Sequence, residues 1–132
     1  GQKDSAPKIV ITSAPNEFHE IGGWILSDVL EKNGWNVRYL GANTPAADLI
    51  EMLRDFRPKL LAISVTMAFN ILKAGDIIRQ VKEDADLKQI PIIIGGQAFN
   101  KNEKLWKQVG GDYFASDVSQ FKQLVEKLKL DE

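Results

Sequence analysis

Five short apolar runs alternate with five amphipathic runs between residues 8 and 128, and this alternation constrains the fold more than any other feature of the chain. Strands separated each time by a helix cannot close as tight hairpins. They pair in parallel through right-handed crossovers. The first run predicts a strand over 8–13 and the next a helix over 19–32, with Ile21, Ile25, Leu26, Val29 and Leu30 facing inward. Asn33-Gly34 stops that helix, because glycine accepts the left-handed conformation past a helix end. A second strand is predicted over 35–40. Thr44-Pro45 then reads as an N-cap and first turn for a helix reaching Phe56, with Leu49, Ile50, Leu53 and Phe56 inward.

Leu60-Leu61-Ala62-Ile63-Ser64-Val65 is apolar except at Ser64, the pattern of a strand buried on both faces of a parallel sheet. The third helix is predicted over 70–85 with Ile71, Ala74, Ile77, Ile78 and Val81 inward. The remaining elements are a strand over 91–94, a short helix over 101–109, a weak strand over 113–115 and a helix over 117–128 capped by Asp117, with Phe121, Leu124, Val125 and Leu128 inward. The expected fold is therefore α/β, a three-layer sandwich around a five-stranded parallel sheet. With five strands the flavodoxin-like (Rossmann-like) order 2-1-3-4-5 is expected. At 132 residues the chain is expected to form one domain with flexible ends at 1–7 and 130–132. It starts at Gly1 rather than methionine, so a domain cut from a longer protein is expected.

In that order the switch point lies between strands one and three, where such folds keep their ligands. The loop after strand one holds Glu17 and His19, the only histidine; the end of strand three holds Ser64, Val65 and Thr66; strand four ends in Gly95-Gly96-Gln97. A neutral imidazole is a common transition-metal ligand, and a carboxylate often orients its other nitrogen, a role that Glu17 is placed to fill. Gly22, Gly23, Gly95 and Gly96 clear space for a bulky group, and the hydroxyls of Ser64 and Thr66 can bond a buried heteroatom. Taken alone, a loop histidine is more often solvated or bonded to backbone. Trp24, Trp35 and Trp106 are explained by packing. Met67 and Phe69 fit either the border of the site or the core at the mouth of helix three.

Composition removes several classes. Absence of cysteine excludes disulfides, thiolate metal sites and thiol nucleophiles. A net charge of −1 gives no field to recruit nucleic acid or an anionic membrane. No apolar run nears the roughly 18 residues that span a bilayer, and the polar start carries no signal peptide, so a cytoplasmic location is expected. No Ser-His-Asp or Walker pattern occurs, and no complete enzyme is expected. The end of strand three lacks the aspartate of a phosphoreceiver domain, and Ala14-Pro15-Asn16-Glu17 lacks the hydroxyl-rich phosphate loop of a flavodoxin.

Glu17-Phe18-His19-Glu20-Ile21-Gly22, Ser64-Val65-Thr66 and Gly95-Gly96 together resemble the signature of cobalamin (corrinoid)-binding domains: Asp-x-His-x-x-Gly, then Ser-x-Leu, then Gly-Gly. Such domains occur in methionine synthase, corrinoid methyl carriers and light-sensing regulators. The resemblance spans essentially the whole chain. It implies that His19 replaces dimethylbenzimidazole beneath cobalt and that the nucleotide tail enters between strands one and three. It also implies that Ser64 bonds the base, that Gly95 and Gly96 line the tail, and that Ala115 touches it. Glu17 in place of aspartate, and Thr66 and Ala68 in place of the leucine and threonine of methyl-transfer members, resemble the regulatory and photoreceptor branch.

The resemblance thus implies a cobalamin-binding sensory or regulatory module, base-off with His19 on, taking adenosyl- or methylcobalamin. Its cofactor-binding residues would be Glu17, Phe18, His19, Glu20, Gly22, Ser64, Thr66, Gly95, Gly96 and Ala115. Three other readings stand beside it: a corrinoid carrier in a methyltransferase or mutase system, a heme-binding sensor of the same fold, and a cofactor-free interaction module. A helical cap, output domain or methyltransferase is the expected protein partner.

Overall fold

In the computed structural model the described residues are 6–14, 21–41, 44–100, 102 and 104–130, with only the backbone described for 21–25. The elements are β1 (Lys8–Ser13), α1 (Ile21–Lys32), β2 (Asn36–Leu40), α2 (Ala46–Phe56), β3 (Leu60–Ser64), α3 (Ile71–Glu83), β4 (Ile92–Gly95), α4 (Leu105–Gln108), β5 (Tyr113–Ala115) and α5 (Val118–Leu130). All strand pairs are parallel, in the order β2-β1-β3-β4-β5. The expected flavodoxin-like topology is thus the observed one, because side-chain alternation gives each inner strand two apolar faces that helices must cover.

Val10, Leu61, Ile63, Ile92 and Ile94 pack under Leu49, Leu53 and Phe56 of α2 and Ala74, Ile77, Ile78 and Val81 of α3. Ile9, Ile11, Leu60, Ala62 and Ile93 form the opposite face with Leu30 of α1 and Phe121, Val125 and Leu128 of α5. Trp35 is buried in this second core just before β2, and Trp106 stacks on Phe114 with ring centroids 5.9 Å apart, so both serve packing. The side chains of Ile21, Trp24 and Ile25 lie outside the described residues.

Among the boundaries that differ from the sequence expectation, three have a local reason. Thr44 does not cap α2: its hydroxyl donates to the Gly41 carbonyl at 3.3 Å, and Pro45 occupies the cap position with no side-chain bond. The third helix ends at Glu83 rather than Ala85, because Asp84 turns extended and its carboxylate accepts the Asp86 N–H at 2.9 Å, a short side-chain turn that competes with the helix. Helix four shrinks to Leu105–Gln108, since a 3₁₀ turn over Gln97–Phe99 first carries Phe99 into the core.

Asp84 is also the partner of Arg54 from α2. The Arg54 hydrogen bond, helped by the Asp86 N–H, holds the Asp84 carboxyl below the usual aspartate range. A carboxyl depressed in the folded state stabilises it above the ordinary aspartate pKa, and that contribution is lost as pH falls through the lowered value. Arg54→Gln is expected to move the Asp84 titration upward and to flatten this acid limb, as read by NMR of the carboxyl carbons. An unmoved titration would contradict the pairing.

Candidate functional site

The face of the sheet under α1 and α5 narrows in residue size toward the carboxyl ends of the strands. Ile9 pairs with Leu60; Ile11 with Ala62, and Ala62 with Ile93. The last rung is Ser13, Ser64, Gly95 and Ala115, in direct register across β1, β3, β4 and β5. Four small residues in one rung leave α1 and α5 with little to pack on at this end. A cavity of about 600 Å³ opens there. That size lies within the range of small-molecule and cofactor sites, roughly 300–1,000 Å³.

The lining is apolar below and hydroxyl-bearing at the rim. Ile11, Ala62 and Ile93 form the floor, Leu26 of α1 and Phe121 of α5 the sides, and Tyr39, Thr66 and Ser116 stand at the edge with Asp117. Asp117 and Ser116 are already engaged. The Asp117 carboxylate accepts the Gln120 backbone N–H at 2.8 Å, and the Gln120 side-chain oxygen Oε1 accepts the Ser116 N–H at 2.8 Å and its hydroxyl at 2.7 Å. This reciprocal cap starts α5, as the sequence predicted from Asp117. Tyr39 and Thr66 have interaction partners of their own. The hydroxyls of Ser13 and Ser64 have none among the described residues, although Ser13 is only 8% exposed.

The rim between β3 and β4 is held by backbone. Ala14 donates to Ser64, Val65 to Gly95 and Ala98 back to Val65, at 3.0, 2.9 and 3.1 Å. Gly96 has φ +113°, and a Cβ there would stand 2.1 Å from the Val65 carbonyl oxygen; one at Gly95 would stand 2.6 Å from that of Ala115. The glycine pair therefore lets neighbouring strand ends close on the cavity without side chains between them.

The structure brings Ser64, Thr66, Gly95, Gly96 and Ala115 from three loops to one cavity. Gly22 lies in the first turn of α1, and Glu17, Phe18, His19 and Glu20 lie outside the described residues. Phe69 is 68% exposed just past β3, so it is not a core residue at the mouth of α3. Sequence reading missed Ser13, Tyr39, Leu26, Ala62 and Phe121 as lining residues. Ser13 was within reach, since alternation from Ile9 and Ile11 places it on their face. Among the described residues no group of three or more His, Asp or Glu side chains could hold a metal. The lining nevertheless fits the aromatic tail of a corrinoid: Ile11, Ala62 and Ile93 are apolar, and the Ser13 and Ser64 hydroxyls have no partner among the described residues. Among the described residues no helix is long and apolar enough to cross a membrane.

Comparison with known proteins bears on this site. The family model described as the B12 binding domain matches residues 7–125. Dimethylamine corrinoid protein 3 of Methanosarcina acetivorans is 26% identical over 113 residues, 85% of this chain and 52% of that protein. The HTH-type transcriptional repressor CarA of Myxococcus xanthus is 30% identical over 114 residues, 85% of this chain and 38% of that protein. The chain thus spans about half or less of the length of these relatives. Among solved structures, a cobalamin-binding protein from Desulfitobacterium hafniense superposes with a TM-score of 0.84 at 21% identity, covering 92% of this chain and 58% of that one. At that identity the likeness is one of fold.

Proposed function

The chain belongs to the B12-binding domain family, and from that premise we propose that it is a sensory or regulatory module that holds adenosyl- or methylcobalamin base-off, with His19 as the lower axial ligand of cobalt. The observation that carries the reading is the rung Ser13-Ser64-Gly95-Ala115, which leaves an apolar cavity, with two hydroxyls unpartnered among the described residues, where the displaced tail of the cofactor would go. The bound corrinoid supplies a cobalt centre whose upper ligand can be exchanged or lost.

The chain's own residues bind and orient. His19 would offer one imidazole nitrogen to the metal, and its other ring N–H would donate to the Glu17 carboxylate, which would fix the tautomer and raise the basicity of the ligand. Ser64 donates its hydroxyl to the base of the tail, while Gly95, Gly96 and Ala115 let the tail pass between strand ends. Phe18, Glu20, Gly22 and Thr66 complete the contact. The regulatory branch is favoured by Glu17 in place of aspartate, by Ser64-Val65-Thr66, and by 30% identity to a transcriptional repressor. Identity of 26% to a dimethylamine corrinoid protein supports the second reading, a carrier that presents cobalt to a methyltransferase.

Reconstitution with adenosyl- and methylcobalamin tests the assignment. The wild-type absorbance spectrum is expected to show histidine ligation, and His19→Ala is expected to lose it, since no second histidine can substitute. Identical spectra for the two proteins would overturn the role of His19. A dark spectrum of the adenosyl form that changes on illumination and alters an output would support the sensor. Methyl transfer from the methyl form to a cognate methyltransferase would support the carrier.

A further inference from the structure

Ser13 stands beside Ser64 in register on adjacent strands, and parallel-sheet partners on one face are close enough for their side chains to act together. Both hydroxyls line the cavity, and neither bonds to the protein among the described residues. Their neighbours in the rung, Gly95 and Ala115, have no polar side-chain atom to serve them, and Ser116 is bonded to Gln120. A ligand that covers these hydroxyls takes them from water, which is unfavourable unless one of its atoms meets them. Two of them side by side above an apolar floor suit the heteroatom-bearing edge of a flat ring.

We propose that Ser13 is a specificity-determining residue: with Ser64 it reads the nitrogen-bearing edge of the heteroaromatic base on the corrinoid tail, and the pair selects against corrinoids whose tail ends in a phenol-type ring. This rests on the corrinoid reading above and adds to it which tail the site accepts. A benzimidazole released from cobalt has a free ring nitrogen that accepts a hydroxyl proton. A cresol ring linked through its oxygen has no such edge, so it strands both hydroxyls away from water. A site built to hydrogen-bond its ligand rejects analogues that lack the partner more strongly than an apolar pocket rejects an extra methyl.

The test is titration of the 132-residue chain with a benzimidazolyl and a cresolyl corrinoid, read by absorbance. Wild type is expected to prefer the benzimidazolyl form by about tenfold or more, the worth of one hydrogen bond to the ring nitrogen. Ser13→Ala is expected to weaken the benzimidazolyl form by about fivefold to tenfold and to change the cresolyl form by less than about twofold, so that the preference collapses. Ser13→Thr keeps the hydroxyl and is expected to keep the preference. Should Ser13→Ala unfold, Ser13→Cys retains the volume with a weaker hydrogen bond and is expected to lose the preference likewise. Equal weakening of both ligands, or of neither, would overturn the role of Ser13 while leaving the corrinoid reading intact. Failure of wild type to bind either corrinoid would overturn that reading and this inference with it.

Discussion

Replacing Ala62 with leucine is expected to weaken corrinoid binding by about a hundredfold or more while leaving the domain folded. Ala62 sits at the centre of the cavity floor, between Ile11 and Ile93 in register. Three added carbons there would rise into the space between Leu26 and Phe121. An apolar group filling an apolar cavity costs the free protein little and commonly stabilises it. A ligand entering the same space meets an overpacked site, worth about 1–3 kcal/mol per misplaced group. The measurement is an absorbance titration beside a urea unfolding curve. Undiminished affinity in a folded Ala62→Leu protein would place the tail elsewhere.

Gly96→Ala is expected to cost the fold about 4 kcal/mol and to lower the melting temperature by about 10 °C or more. At φ +113° and ψ 163°, Gly96 occupies a region that is nearly glycine-only, worth about 1–3 kcal/mol for another residue. The steric cost adds to this. A Cβ 2.1 Å from the Val65 carbonyl oxygen meets backbone, so relief requires the ends of β3 and β4 to part. Parting them breaks the Ala98–Val65 bond at 3.1 Å and strains the Val65–Gly95 bond at 2.9 Å. Because these bonds form the cavity rim, ligand affinity is expected to fall along with stability. A destabilisation below about 1 kcal/mol in chemical denaturation would contradict this account.

The two variants separate what glycine and alanine do at this end of the sheet. Ala62→Leu is expected to fill space for a ligand and to leave the fold intact. Gly96 is required by the backbone itself. In the sequence both look alike, as small residues near strand ends. Loop geometry tells them apart, because only the return of the Gly96 turn over Val65 creates the clash.

Much of the architecture was readable from one-dimensional pattern. The inward set of α3, Ile71, Ala74, Ile77, Ile78 and Val81, is buried in full, since a helical period of 3.6 residues permits one apolar stripe. The order β2-β1-β3-β4-β5 is one of the few that strict alternation and crossover handedness allow, and the common one for five strands. The reach of α4 was not readable. Its end depends on Phe99 dropping into a core built by residues far away in sequence.

The same division holds for the site. The sequence by itself determined the fold and the family, through periodicity and three short motifs at strand ends, because each of these is a local pattern. It also singled out Ser64, Gly95, Gly96 and Ala115. Only the tertiary structure decided that Ser64, Gly95 and Ala115 share one rung with Ser13, because strand register is a relation between segments that no single segment carries. That register turns four ordinary small residues into a cavity and puts the hydroxyls of Ser13 and Ser64 beside each other inside it.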